Sequence, residues 1–380
     1  MDAAARAGLY VHIPFCSAIC PYCDFAVVTG RAERRERFVR ALLREIEQLP
    51  VPAWRFDTIY FGGGTPSALS PEQLQRILDA LDRALEFSAQ PTVSFEANPE
   101  DVAEASAAAW QQLGIDTVSL GIQSFDNAEL RLLGRRHDAE RARASVELLR
   151  GRFRVISIDL IYGLPGQSIA NWESNIETAA QLSPDHVSCY QLTVHEGTPF
   201  ARLRDARRLE ELPEEAQADH FLATHRLLPR HGLEPYEVSN FSRSPAHRSR
   251  HNQKYWDHTP YLGLGPSAHS FDGERRWWNL RALDEYQHAV DEGRAPVAGS
   301  EALSPQDLVL EALALRLRTT TGIELASFAD RYGTDLRQSP HLEVIERWVS
   351  GGFAYPSAEV FALTPRGLAI ADAVARSFSV

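Results

Sequence analysis

Apolar and polar positions along the first 240 residues fall into two alternating registers. Short β-branched and aromatic runs at 9–13, 58–61, 92–96, 117–121, 155–161 and 186–192 read as strands. Between them, apolar residues return every three or four positions, the period of a helix with one buried face. In 34–49 that face carries Phe38, Leu42, Leu43 and Ile46. The stretch 71–85 opens after Ser70, with Pro71 at the first helical position and Gln73 at the third. Side chains of this kind satisfy the free N–H groups of a first turn. Further helices are expected over 100–113, 139–149 and 169–182.

Six strand–helix units with short connections predict an α/β fold with parallel strands and right-handed crossovers. An open sheet and an incomplete (β/α)6 barrel both satisfy this pattern. In either, ligands sit at the carboxyl ends of the strands. Another helix is expected over 213–228 and a strand near 236–239. Residues 241–280 mix Arg, His, Ser, Gly and aromatics without a clean period, which predicts a long functional loop or irregular hairpin region. From about residue 302 the order is three helices, a short β-like pair around 352–363 and a last helix from 364. That is the order of a small winged-helix-like domain. The expected division is therefore 1–240, 241–300 and 301–380.

Composition narrows the function classes. The 380 residues include 39 Lys+Arg against 51 Asp+Glu, a net charge of −12. An acidic total argues against non-specific binding to nucleic acid or anionic membrane. Residues 301–380 hold seven Arg against ten Asp/Glu, the wrong sign for a phosphate-binding face. That domain is read as a lid or partner-docking module, and no nucleic-acid partner is expected. No apolar run approaches the roughly 18 residues of a membrane span. The N-terminal stretch lacks a charged-then-apolar secretory pattern, so a cytoplasmic location is expected.

The chemistry concentrates in one loop. Three of the four cysteines, Cys16, Cys20 and Cys23, fall within eight residues at C-x3-C-x2-C spacing. Thiolates this close can wrap one soft metal centre; iron–sulfur clusters are usually held by four, and three leave one iron open. A structural zinc site is the competing reading. It needs four protein ligands, with His12 or Cys189 as the fourth. Cys189, inside a β-like run, otherwise reads as a buried, apolar-like thiol. The run Gly62-Gly63-Gly64-Thr65 follows the second strand and lets the backbone pass close to a ligand. Glu96 ends the third strand, Gln123 follows the fourth, Asp159 lies within the fifth, and Arg135 sits in Leu-Gly-Arg-Arg-His. Polar groups recurring at successive strands point to a ligand cleft.

The cysteine spacing, the preceding Tyr10-Val-His-Ile-Pro-Phe and the aromatic Tyr22 resemble the radical S-adenosylmethionine (SAM) superfamily. The longer segments, through Leu363-Thr364-Pro365-Arg366-Gly367, resemble its oxygen-independent coproporphyrinogen III oxidase family. This resemblance implies a [4Fe–4S] cluster on Cys16, Cys20 and Cys23, with SAM at the open iron. It also implies SAM contacts at Tyr10, Gly64, Thr65, Glu96, Gln123, Arg135, Asp159 and Thr193. Two branches share the scaffold. The oxidases carry a further Cys two residues after the third, where this chain has Phe25. The segments Cys20-Pro-Tyr-Cys-Asp-Phe25 and His251-Asn-Gln-Lys-Tyr-Trp256 instead resemble the heme-chaperone branch.

That branch implies heme as cargo, passed to acceptor haemoproteins such as respiratory enzymes, and a homo-oligomer. A neutral imidazole is a good axial ligand, which makes His251 the candidate, with Tyr255 and Trp256 against the porphyrin. Lys254, Arg248 or Arg250 would pair with propionates. His247, His258 and His269 are rivals for the iron. Oxidative decarboxylation of coproporphyrinogen III is the alternative activity, and nucleic-acid modification a third.

Overall fold

The computed structural model describes residues 6–50 and 54–378; residues 1–5, part of the stretch read above for a targeting signal, lie outside it. All six expected strands form: β1 (Arg6–Ile13), β2 (Arg55–Gly63), β3 (Phe87–Ala97), β4 (Thr117–Gln123), β5 (Val155–Tyr162) and β6 (His186–Gln191). They lie side by side in chain order, each parallel to the last. The helices between them match the apolar period: α1 (Ala32–Glu47) buries Phe38, Leu42 and Ile46. In α2 (Pro71–Ala84), the Gln73 N–H donates to Ser70 Oγ (3.3 Å) and the Ser70 N–H to Gln73 Oε1 (3.1 Å), closing the expected cap.

Side chains partition strictly across the sheet. In β4, Val118, Leu120 and Ile122 are fully buried. Their neighbours Thr117, Ser119, Gly121 and Gln123 line a central cavity. The same alternation gives Ser94 and Glu96 in β3, Ser157 and Asp159 in β5, and Ser188 and Tyr190 in β6. With Tyr60 and Gly63 of β2, five strands turn residues to one cavity, which requires the sheet to curl around it, so the fold is an incomplete barrel.

Both edges are extended by later segments. The strand Tyr261–Leu264 pairs parallel to β1, and His269–Phe271, Arg275–Asn279 and Val297–Ala302 follow antiparallel. The stretch expected to be a loop or irregular hairpin region is therefore ordered as a helix, Arg250–Trp256, and sheet. Its strands are too short, and too interrupted by Gly263, Gly265 and Gly273, to show a period. The strand expected near 236–239 is a turn. Strands lie on either side of it, at Glu234–Pro235 and Asn240–Ser242. The Glu237 carboxylate takes the Ser239 N–H (3.0 Å), which favours the turn over a ladder.

One buried carboxylate ties α1 to this extension. Glu45 accepts the Gly265 N–H (2.8 Å), Asn279 Nδ2 (2.7 Å) and Tyr286 Oη (2.6 Å). Burial raises its pKa to about 7. The C-terminal part contains Pro305–Leu317, Leu325–Tyr332 and His341–Ser350, with Ile323–Glu324 pairing antiparallel to Val360–Phe361. It grips the end of the 250–256 helix. Arg331 donates to the carbonyls of Asp257 and His258, and Arg318 lies over the Trp256 ring. Among the described residues no helix is long and apolar enough to cross a membrane.

Candidate functional site

The barrel encloses a cavity of about 460 Å³. Its mouth, at the carboxyl ends of the strands, is formed by the cysteine loop. Cys16, Cys20 and Cys23 are half-buried and all line it. A turn closed by the Cys23 N–H on the Cys20 carbonyl (3.1 Å) brings two of them together. Thr65 Oγ1 donates to Cys16 Sγ (3.5 Å) and Arg135 Nη1 to Cys20 Sγ (3.6 Å). These donors are themselves braced. Asn98 Nδ2 donates to Thr65 Oγ1 (3.0 Å), while Arg135 Nη2 donates to Asn98 Oδ1 (2.5 Å) and the Gly121 carbonyl (2.7 Å). Burial, then the neighbouring thiols, push the Cys16 pKa up to about 11.

The donor set fits a cluster better than zinc. Among the described residues no three His, Cys, Asp or Glu groups converge tightly enough for a single metal ion. Both proposed fourth zinc ligands are engaged elsewhere. His12 has Nδ1 against Tyr10 Oη (3.0 Å) and Nε2 against the Ala26 carbonyl (2.9 Å). Cys189 is buried within β6 on the helix-facing side. Three thiols spread around an open space, with donors to two sulfurs, suit a cluster whose irons each take one.

Seven of the eight residues expected to contact SAM line this same cavity: Gly64, Thr65, Glu96, Gln123, Arg135, Asp159 and Thr193. Tyr10 does not. Its ring lies beneath Tyr60, with centroids 6.2 Å apart. The glycine run spends its N–H groups inside the protein: Gly63 on Glu96 Oε2 (3.1 Å), Gly64 on the Ile13 carbonyl (2.8 Å), Thr65 on the Phe15 carbonyl (2.7 Å). That leaves carbonyl oxygens for a ligand, which suit an ammonium group. A Cβ on Gly64 would sit 2.8 Å from two backbone oxygens, so only glycine closes this seam.

The two carboxylates are held ready to change charge. Glu96 accepts Tyr60 Oη (2.7 Å), and burial raises its pKa to about 7. Asp159 accepts Ser119 Oγ (3.1 Å), and burial raises it to about 6. Gln123 has φ +71°, in the left-handed region that a glutamine rarely adopts. Arg135 Nε is buried without a partner, a donor left over for a ligand anion.

The His-Asn-x-x-Tyr-Trp segment behaves differently. His251 is buried, and both ring nitrogens are taken: Nδ1 by Thr58 Oγ1 (3.0 Å) and Nε2 by Tyr255 Oη (2.9 Å). It stacks on Tyr60 at 5.2 Å. Burial lowers its pKa to about 3. His251, Tyr255 and Trp256 are absent from the cavity wall, whereas Asn252 lies on it. Lys254 is held by the buried Asp57 (2.6 Å), as is Arg250 (2.9 Å). Among the rival histidines, His247 lines the cavity. His258 is buried between Tyr332 and Glu311, and His269 stacks on Trp278 at the outer sheet edge.

Sequence reasoning passed over Tyr60, Asn98, Ser119, Ser188 and Tyr190. The signal was available: in Thr117-Val-Ser-Leu-Gly-Ile-Gln123, every second residue is apolar and the others face the cavity. Two apolar side chains remain exposed at the mouth, Ile19 (49%) and Phe25 (62%).

Residues 10–179 match the model of the radical SAM superfamily, and residues 303–370 that of the HemN C-terminal domain. The chain is 32% identical to the heme chaperone HemW of Bacillus subtilis, over 97% of this chain and 98% of that protein. It is 35% identical to HemW of Mycobacterium tuberculosis, over 97% and 94%. It also resembles the mitochondrial radical S-adenosyl methionine domain-containing protein 1 of Bos taurus, at 34% identity over 84% of this chain and 74% of that one. Its fold matches coproporphyrinogen III oxidase (HemN) of Escherichia coli with a TM-score of 0.84 at 23% identity, covering 98% and 90% of the two chains.

Proposed function

Since the chain belongs to the HemW branch of the radical SAM superfamily, we propose that it is a heme chaperone that carries a [4Fe–4S] cluster and SAM in its barrel. The observation that carries this reading is the convergence of Cys16, Cys20 and Cys23 with seven SAM candidates on one cavity. When bound, the cluster supplies one electron and SAM a sulfonium that this electron can cleave.

The chain's own residues divide the work of holding them. Arg135 and Thr65 orient two thiols, and Arg135 Nε faces the ligand's carboxylate. The carbonyls of the glycine run receive its ammonium group. Glu96 and Asp159 accept hydroxyl or amino donors from the remainder. Heme enters as cargo. At the mouth, Ile19 and Phe25 offer apolar contact for a porphyrin face, whereas Arg248 lies at the far end of the cavity, by the amino ends of the strands. His195, beside Asp24 at the mouth (3.5 Å), is the imidazole near Ile19 and Phe25, while His247 lies with Arg248 at the far end. His251 acts as a positioning residue that fixes the 250–256 helix, because ligation by it would break its bonds to Thr58 and Tyr255. Acceptor haemoproteins and self-association complete the reading.

The test is anaerobic reconstitution followed by heme and coproporphyrinogen III in separate reactions. About one equivalent of heme, seen as a Soret band and transferable to an apo-haemoprotein, is the expected result. Steady SAM-dependent formation of vinyl product would make the chain an oxidase despite Phe25.

A further inference from the structure

Cys16 is the one residue shared by two hollows. One is the barrel cavity; the other opens on the outer side of the cysteine loop. Arg31, Arg34, Arg35 and Arg37 line this second hollow, against Glu33 and Asp284. Such an arginine cluster stands out on a chain of net charge −12. Arg34 meets Asp284 at 3.4 Å, but both groups are well exposed, so the pair is weak. Arg31, Arg35 and Arg37 have no carboxylate partner among the described residues. Arg37 donates to Gln287 Oε1 (3.2 Å). Arg35 donates to the Gly30 and Ala68 carbonyls (3.2 and 2.8 Å), and its Nε is buried with no partner. Arg35 thus fixes the wall, and Arg31 and Arg37 present charge to solvent.

We propose that this hollow is the docking site of an acidic one-electron carrier protein that reduces the cluster. The inference rests on the cluster reading above. A centre on Cys16 would be sealed from the barrel side once SAM fills the cavity, so the outer hollow is the remaining approach to that sulfur. A positive rim around it attracts an anionic partner and orients its redox centre toward Cys16. One electron passes from the carrier's reduced centre to the cluster. The carrier is oxidised and the cluster reduced by that one electron, and no bond forms or breaks.

The test uses the full chain and a purified flavodoxin, a small acidic FMN protein, as probe. Binding is measured by calorimetry at low and high salt. Cluster reduction is followed by absorbance with flavodoxin hydroquinone and, separately, with dithionite. The variants are R31E/R37E and, as a control on a distant exposed face, R150E. In R31E/R37E, affinity and flavodoxin-driven reduction fall by about tenfold or more, while dithionite reduction and thermal midpoint stay near wild type. Salt weakens wild-type binding in the same direction. R31A, which removes charge without reversing it, gives a smaller loss.

Binding of R31E/R37E equal to that of wild type or R150E overturns the proposal, as does wild-type binding that salt leaves unchanged. Tight binding of inorganic phosphate or RNA in the hollow, with flavodoxin unbound, also overturns it. A chain that takes up no iron–sulfur cluster fails the earlier reading instead; one that takes it up but ignores R31E/R37E fails only this inference.

Discussion

The cysteine loop and the His-Asn-x-x-Tyr-Trp helix carry the two most recognisable motifs of the chain, yet they are built in opposite ways. The thiols of the loop are half-buried, face a cavity and receive donors that end on sulfur. Close by, Arg135 Nε has no partner. The helix has its imidazole buried, both nitrogens bonded and its lysine paired. One region is left incomplete, as a site awaiting a ligand is; the other is already satisfied, as a structural joint is. Residue type alone does not separate the two. Unspent hydrogen-bonding capacity does.

Substitutions can break that contrast. The largest effect is expected at the incomplete site: Cys20→Ser reduces bound iron and sulfide after reconstitution to background, while Cys189→Ser leaves both unchanged. Equal loss in the two would mean that the loop thiols are not set apart as the ligands. At the joint, His251→Ala strands Thr58 and Tyr255 and opens a gap against Tyr60. It lowers stability by about 2–3 kcal/mol in denaturant unfolding, whereas His247→Ala stays within about 0.5 kcal/mol. Heme binding should stay intact in His247→Ala and fall in His195→Ala. Two indistinguishable unfolding curves would undo the comparison.

Glu96 tests whether the incomplete site stores charge. Its folded pKa of about 7 lies above the unfolded carboxylate value, so the folded state binds more protons between about 4.5 and about 7. Stability from this group is therefore present at low pH and lost as pH rises through that window. Glu96→Gln removes the loss. The variant should match wild type near pH 5 and exceed it by about 2 kcal/mol near pH 8 in ligand-free protein. A difference that does not change with pH would show that burial does not raise the pKa of this carboxyl group. The smallest effect is at Thr65→Val, which deletes one donor to Cys16 and one acceptor for Asn98, and costs about 1 kcal/mol in thermal unfolding.

Much of this was legible before folding. Strand positions followed from local pattern, because parallel strands buried by helices need apolar residues at fixed spacing. The SAM candidates came from the family resemblance, and polar groups recurring at strand ends pointed to a cleft in the same place. Part of what stayed hidden depends on residues far apart in the chain. His251 is sealed because Gly8, in the first strand, has no side chain. A Cβ there would lie 2.8 Å from Lys254 Cδ and 3.1 Å from His251 Cε1. Nothing near His251 in the sequence announces that vacancy. Other parts are local: Tyr10 matches a family contact by motif, but its Oη is drawn to His12 two residues on. The turn at 236–239 was misjudged because Glu237 captures a backbone N–H, a local competition that apolar pattern does not register.

Glu45 fixes where this protein can be cut. Its three donors come from Gly265, Asn279 and Tyr286, all beyond the last strand of the barrel proper. A fragment ending at residue 240 would keep every cysteine and every SAM candidate. It would also lose the three donors to Glu45 and bare the face of α1 that packs against residues 261–264 and 283–291. The smallest unit that keeps this face covered is therefore longer than the barrel it contains. Recombination that exchanged the barrel without the segment through Tyr286 would pass on the chemistry and lose the fold.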